Sequence, residues 1–408
     1  MLTKEINERL TQTGPETPGG KMLRMYWHAI GTKEDLEKEP VQPVRLLSED
    51  LTLFRDTRGN IGLIGDRCAH RAVSLAYGIP QEDGLRCCYH GWTYNIQGQV
   101  IDMPFEPACL PLKIKSYPVQ EMGGLIWAYL GPQPAPFLPR FEAYAREDID
   151  RSVLVKQLPC SWLQCMDNSM DPVHFEHLHG HYGNYYNRHH GKPEGMLTPP
   201  HLKIDFDVFE YGIYKRRLIE GEAEDCDDWV TGHPILFPNT LVVVGGAWGG
   251  SYQIRTPMDD THTLHFLYHF RYLKDGQAAG PFKVVHDVVR YDEFGRAVGD
   301  AVIPQDEMAW IGQGPISDRT IEHLVTSDKG VILYHNTILE QIAKVERGED
   351  PMGLVRDPAK NDPYIHIAHE GVARAGFARV DEGGQPVAAG RLGQSDWQAD
   401  DSWQRNGA

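Results

Sequence analysis

The segments Cys68-Ala-His70-Arg71 and Cys87-Cys-Tyr-His90-Gly-Trp92 decide how this chain is read. Each joins a thiol to an imidazole, as C-x-H and C-x2-H, and 16 residues (71 to 86) separate His70 from Cys87. Spacings this short put each pair on one loop. Two facing loops can then grip a two-iron cluster, each loop giving each iron one ligand. Thiolates suit a ferric ion, and neutral imidazoles on the other iron raise its reduction potential. A structural zinc ion also accepts two Cys and two His, but its usual spacings, C-x2–4-C with H-x3–5-H, pair like with like. The mixed pairs favour the cluster. Cys88-Tyr-His90 repeats the C-x-H spacing, so these residues alone leave Cys87 and Cys88 as rivals.

Around these loops the chain reads as all-β. From Val44 to about Leu130 short apolar runs alternate with turns, as in Leu51-Thr-Leu-Phe54, Arg58-Gly-Asn60 and Ile61-Gly-Leu-Ile64, then Ile96-Gln-Gly-Gln-Val100 and Gly124-Leu-Ile-Trp-Ala-Tyr-Leu130. Alternation bounded by Gly, Asn and Asp predicts hairpins. The Pro-rich stretch from Gly131 to Pro139 is the natural domain boundary. The expected division is an N-terminal segment (1–40) packed on the second domain, a β-rich domain (41–135), a larger domain (136–385) and a polar tail (386–408). The first segment pairs a short amphipathic stretch with a Gly/Pro-rich turn from Gly14 to Gly20. In the larger domain, residues 152–180 predict a strand and then a helix, and 201–270 predict successive strands. Residues 318–346 predict a helix with Ile321, Leu324, Ile332, Leu333, Leu339, Ile342 and Val345 on its buried face.

A second group of metal-ligand residues follows the boundary, in Asn168-Ser-Met-Asp171-Pro-Val-His174-Phe-Glu-His177-Leu-His179-Gly180. Asp171 and His174, three apart, share a face on a helix. His174 and His179 are five apart, roughly 140° on a regular helix. A chelating pair at that spacing needs the helix to distort or end, and Gly180 is placed to end it. By spacing alone His177 competes with His179. Two His and one carboxylate make the facial triad of non-haem Fe(II) enzymes, with positions left open for O2. The carboxylate must come from elsewhere.

These segments resemble the Rieske-type ring-hydroxylating oxygenases. Both loops are similar to the family's cluster loops, with Gly91 and Trp92 in place and Ala69 where the family usually has Pro. The resemblance selects Cys68, His70, Cys87 and His90 as [2Fe-2S] ligands and leaves Cys88 packed beneath the loop. The second group resembles the N-x2-D-x2-H-x4-H motif, which implies that His174 and His179 hold a mononuclear iron and that Asp171 lies between cluster and iron. Asn168 and Asp171 are then the candidate catalytic residues, and His177 faces the packing around the site. Gln305-Asp306-Glu-Met-Ala-Trp-Ile-Gly-Gln313 resembles the family's carboxylate segment, an acidic residue opening a helix, so Asp306 completes the triad, with Glu307 and Asp328 as alternatives.

The implied fold is α+β, a β-rich Rieske domain on a larger catalytic domain with a central antiparallel sheet flanked by helices. The implied activity is O2-dependent hydroxylation of an aromatic substrate, with electrons from NAD(P)H through a separate reductase and, in some systems, a ferredoxin. The implied assembly is a head-to-tail homotrimer or a dimer of trimers, in which His70 or His90 of one chain bonds Asp171 of the next. Asn168 to His174, and Gly314-Pro-Ile-Ser-Asp-Arg319 to Asp350-Pro-Met, are similar to the phthalate-dioxygenase-like branch, with its phenoxybenzoate dioxygenases and dehydrodivanillate O-demethylases. That branch implies an aryl carboxylate or aryl ether substrate. A Rieske electron carrier and a structural zinc protein are the readings from other classes.

Bulk properties agree with a small-molecule enzyme. With 40 Lys plus Arg against 57 Asp plus Glu, the net charge of −17 argues against nucleic acid. No apolar run of about 18 residues predicts a membrane span. The polar N-terminus lacks a signal-peptide core, and seven cysteines suit metals or burial better than a disulfide framework, so a cytoplasmic location is expected. No G-x-G-x-x-G follows a strand, so nicotinamide is expected to bind elsewhere. The run from His181 to His190 reads either as pocket lining or as a solvated loop.

Overall fold

The computed structural model describes residues 1–195, 199–244, 249–273 and 277–367, and the polar tail expected at 386–408 lies outside them. Within them the predicted β-rich unit forms from short strands. Val41–Leu46, Glu49–Arg55, Ile61–Gly65 and Ser116–Tyr117 make one antiparallel sheet, and Ile79–Gln81, Gly84–Arg86, Thr93–Tyr94 and Val100–Asp102 make a second. Between them lies a core of Phe54, Ile64, Leu75, Leu85 and Tyr94. Of the apolar run Ile96–Val100, residues 96–99 form the turn joining the last two strands of the second sheet, and Val100 opens the last strand. The Asn95 side chain accepts from the Gln97 and Gln99 backbone N–H groups, and Gly98 takes φ 76°, so local bonding outcompetes pairing there.

The larger unit is built on an eight-stranded sheet in the order His201–Phe209, Gly212–Ile219, His233–Leu236, Thr240–Val244, Gly249–Pro257, Thr263–Tyr272, Ile149–Leu158 and Lys283–Asp287. All pairings are antiparallel except the last, between Ile149–Leu158 and Lys283–Asp287. Because strand residues alternate between faces, Val153, Tyr252, Ile254, Phe266 and Tyr268 form one apolar layer. On the other face Ile213, Ile235 and Leu241 meet Trp162, Leu163 and Met166 of the helix Trp162–Met170. The mixed α+β architecture expected from the sequence is therefore present.

The long helix starts later than predicted, at Lys329, and runs to Glu346. Its buried seam is Val331, Tyr334, Ile338 and Ile342, while Ile332 is 40% exposed and Ile321 lies outside the helix at 68%. Periodicity found the helix and much of its buried face, since Ile342 is in the core and Leu324, Leu333, Leu339 and Val345 pack against it, but it missed Tyr334, which a count of aliphatic residues leaves out. Helices Lys4–Thr11 and Pro18–Leu23 pack against it, with Arg9 bonding Glu346 at 2.8 Å. The second of these takes in Gly19 and Gly20 from the stretch read as a turn, while Gly14 stays outside it. A Cβ on Gly20 would fall 1.9 Å from the Gly14 carbonyl, so this close approach requires glycine. No helix among the described residues is long and apolar enough to cross a membrane.

Candidate metal centres

Both loops of the β-rich unit end at one edge. Cys68 and Cys87 are buried there at 3% and 2% exposure, while His70 and His90 are exposed with ring centroids 4.5 Å apart. Burial raises the Cys87 thiol, and the neighbouring Cys68 adds to this. Two sulfurs inside and two imidazoles outside suit a cluster whose irons differ in ligand type, and the donor chemistry fits. Trp92 stacks on His70 at 4.8 Å and 8°, fixing the ring plane. Gly91 has φ 80°, and a Cβ there would press on Arg86 and Pro104, so the tight second loop depends on glycine. Cys88 is exposed rather than packed beneath the loop, which corrects that expectation.

Tyr94 ties the loops together and was not singled out in the sequence. Its hydroxyl lies 3.1 Å from Cys68 Sγ and accepts the Ala69 N–H at 2.9 Å. The departure from Pro at position 69 thus has a physical counterpart, since proline has no N–H to donate.

The second group of residues assembles around one helix. From Phe175 to Tyr182 the backbone is π-helical, with His174 as its leading residue, and it continues as an α-helix over Gly183–His189. In the i→i+5 ladder of a π-helix, residues five apart stand about one turn apart. His174 and His179 consequently face the same way, with ring centroids 5.1 Å apart. The helix distorts, as the spacing required, but it does not end at Gly180. The run from His181 to His190 is helical rather than a loop.

Asp306 comes to this pair from the helix Val302–Gly312, where it sits in the second turn rather than at the start. Its Oδ1 lies 3.5 Å from His174 Nε2 and 3.3 Å from His179 Nε2. The three ligand atoms all lie within 4.8 Å of one another. The far nitrogens are occupied: His174 Nδ1 donates to the Asp171 carbonyl at 2.6 Å, and His179 Nδ1 to Gln305 Oε1 at 2.9 Å. Both tautomers therefore direct an Nε2 lone pair at the carboxylate. Burial lowers the His174 pKa to about 3, which keeps the ligating form unprotonated. For His179, burial opposes protonation but Asp306 outweighs it and raises the pKa, so the carboxylate draws positive charge to this point. A 2-His-1-carboxylate iron fits these donors.

The remaining residues sort by contact. Asn168 Nδ2 donates to Asp306 Oδ1 at 3.2 Å. The Asp171 carboxylate accepts the Val173 N–H at 2.8 Å and lies 3.8 Å from His174 Nδ1, and burial raises its pKa. Glu307 points elsewhere, to Lys156 at 3.0 Å. Asp328 caps Lys329–Glu346 and accepts from the Val325 N–H. His177 is 64% exposed rather than packed around the site. Gln305 was missed as a support for His179; its place directly before Asp306 was the available signal. Lys215 was also missed. It is 7% exposed, and among the described residues its side chain has no hydrogen bond or ion pair, although Asp171 and Asp306 both act on its charge.

Comparison with known proteins completes the picture. Residues 26–118 match the Rieske [2Fe-2S] domain family. The chain is 40% identical over 380 residues to the 5,5'-dehydrodivanillate O-demethylase oxygenase subunit of Sphingobium sp. (strain NBRC 103272 / SYK-6), covering 90% of this chain and 87% of that protein. It is 30% identical to the phthalate 4,5-dioxygenase oxygenase subunit of Pseudomonas putida, covering 86% and 89%. The chain belongs to the Rieske oxygenases. As such it is the oxygenase component of its system, an oxidoreductase that uses O2. The fold agrees with that of NdmA from Pseudomonas putida CBB5, at a TM-score of 0.61 and 22% identity over 81% of this chain and 94% of that one.

Proposed function

We propose that this oxygenase holds a [2Fe-2S] cluster on Cys68, His70, Cys87 and His90 and a mononuclear Fe(II) on His174, His179 and Asp306, and hydroxylates an aromatic carboxylate with O2. The observation that carries the second centre is the convergence of two Nε2 atoms on Asp306 Oδ1 at 3.5 and 3.3 Å. Iron bound there supplies O2 activation, with electrons from the cluster. The chain's own residues hold the imidazole tautomers through the Asp171 carbonyl and Gln305, and Asn168 steadies the carboxylate.

The acidic link between centres is Asp171, half-exposed beside His174, reached by His70 or His90 of a neighbouring copy. Exposure of both imidazoles and of the adjoining Tyr89 suits a subunit contact, hence a head-to-tail trimer or a dimer of trimers. NAD(P)H electrons arrive through a reductase, directly or by a ferredoxin. The domain bounds 1–40, 41–135 and 136–385 and a cytoplasmic location complete the reading.

The carboxylate part rests on Lys215. A largely desolvated ammonium with no carboxylate at ion-pair distance is costly, and an anionic arene beside the iron would offset that. Oxidative O-demethylation of a methoxylated aromatic acid is the second reading, favoured by the 40% identity to a subunit of that name.

The test is metal analysis and turnover with a panel of aryl carboxylates and methoxyarenes. Wild-type protein should be red-brown and carry one iron beyond the cluster. His174→Ala or Asp306→Ala should lose that iron and all turnover but keep the colour, and turnover surviving both changes would refute the assignment. Asp171→Asn should keep both metals and lose electron delivery to the iron; normal single-turnover oxidation of the cluster in that variant would remove the bridge.

A further inference from the structure

The π-helical segment carries ligand-type side chains on both of its faces. His174 and His179 point inward, and Glu176, His177 and His181 point outward. Among the described residues these outer three form the only other group, besides the iron triad, with ligand atoms within 4.8 Å of one another.

The outer group is partly pre-arranged. Glu176 Oε2 is held by strand His201–Phe209, accepting the His201 backbone N–H at 3.0 Å and facing its Nδ1 at 3.2 Å. That leaves Oε1 turned toward His177 Nε2 at 3.9 Å. The His177 and His181 rings stack at 24° with centroids 5.6 Å apart. Neither imidazole has a hydrogen bond among the described residues, and both are exposed, so small rotations can close the set around an ion.

We propose that Glu176, His177 and His181 bind a divalent cation of the zinc class. Two imidazoles and one carboxylate with an open fourth position for water match zinc's habits, and imidazole suits zinc, copper and nickel better than magnesium or calcium. Their exposure separates this site from the buried iron triad, which shares the helix but not the face. An ion here would bridge the helix to strand His201–Phe209 through Glu176. It would thereby stiffen the turn that presents His174 and His179.

The experiment adds zinc chloride to iron-loaded wild-type protein and to His177→Ala/His181→Ala protein, removes free metal on a desalting column and measures zinc and iron. The wild type should retain one zinc per chain with iron content and visible spectrum unchanged, and the double variant should retain none. Both substitutions are at exposed positions, and the iron content and spectrum of the variant report its folding. A Glu176→Gln protein should bind more weakly than wild type in a calorimetric titration. Equal zinc in wild type and double variant, no zinc in wild type, or zinc taken up only as iron is lost would each overturn the proposal.

Discussion

His179 is gripped at both edges of its ring by consecutive residues of one helix. Gln305 accepts its Nδ1–H at 2.9 Å, and Asp306 Oδ1 stands 3.3 Å from Nε2. The first contact fixes the ring and the tautomer, and the second marks where positive charge collects.

With iron on His174, His179 and Asp306 as proposed, replacing Gln305 with Ala should weaken that centre without touching the cluster. Loss of a partner behind a metal-bound His costs about 10–100-fold in metal affinity or activity. Iron retention against a chelator, followed beside the cluster absorbance, checks this. Unchanged iron affinity would show that the bond is incidental.

Tyr94→Phe removes the hydroxyl that touches Cys68 Sγ and the Ala69 N–H. Hydrogen bonds to cluster sulfurs favour the reduced, more negative state. The midpoint potential should fall in the variant, as measured by redox titration of the visible spectrum. Ala69→Pro should lose only the amide bond, about 1 kcal/mol of stability, with a smaller change in potential.

Lys215→Met removes the buried ammonium. KM for aryl carboxylates should rise at least tenfold while KM for a neutral methoxyarene stays within about twofold, the difference reflecting a lost charge-assisted bond of about 1.5–3 kcal/mol. Burial and Arg217 lower the pKa of this lysine to about 7, although Asp171 and Asp306 oppose that, so carboxylate binding should weaken above neutral pH as the ammonium deprotonates. A fall in kcat with no change in KM would instead assign Lys215 to the iron site itself.

Asp167 makes part of the fold's stability acid-sensitive. It pairs with the fully buried Arg319 and accepts from His335 Nε2 at 2.8 Å. Burial opposes ionisation, but Arg319 and His335 outweigh it and hold the carboxyl below its usual value. A depressed folded pKa adds stability above the unfolded carboxylate range, and this is lost as pH falls through the folded value. Asp167→Asn removes the shorter of Arg319's two carboxylate contacts and leaves Glu322 at 3.9 Å, and it should cost about 3 kcal/mol at neutral pH. Thermal midpoints of wild type and variant should converge as pH drops below 4, and a gap independent of pH would refute the charge argument.

The sequence by itself determined what spacing along the chain can encode. Cys68 with His70, and Cys87 with His90, are close enough in sequence that any loop carrying them brings thiol and imidazole together. The alternation around Leu51–Ile64 likewise fixes its strands, because side-chain direction along a strand is a local property. Residue spacing left Cys87 beside Cys88 and His177 beside His179 as rivals; the tertiary structure buries Cys87 and exposes Cys88, and it turns His179 inward and His177 outward on a π-turn that no intrinsic propensity announces. It also joined Asp306 to a pair that ends 127 residues earlier (306 minus 179), set Gln305 behind His179, and brought the largely buried Lys215 within electrostatic reach of Asp171 and Asp306. Those relations depend on how the sheet and its covering helices pack at long range, where residue spacing along the chain carries no distance.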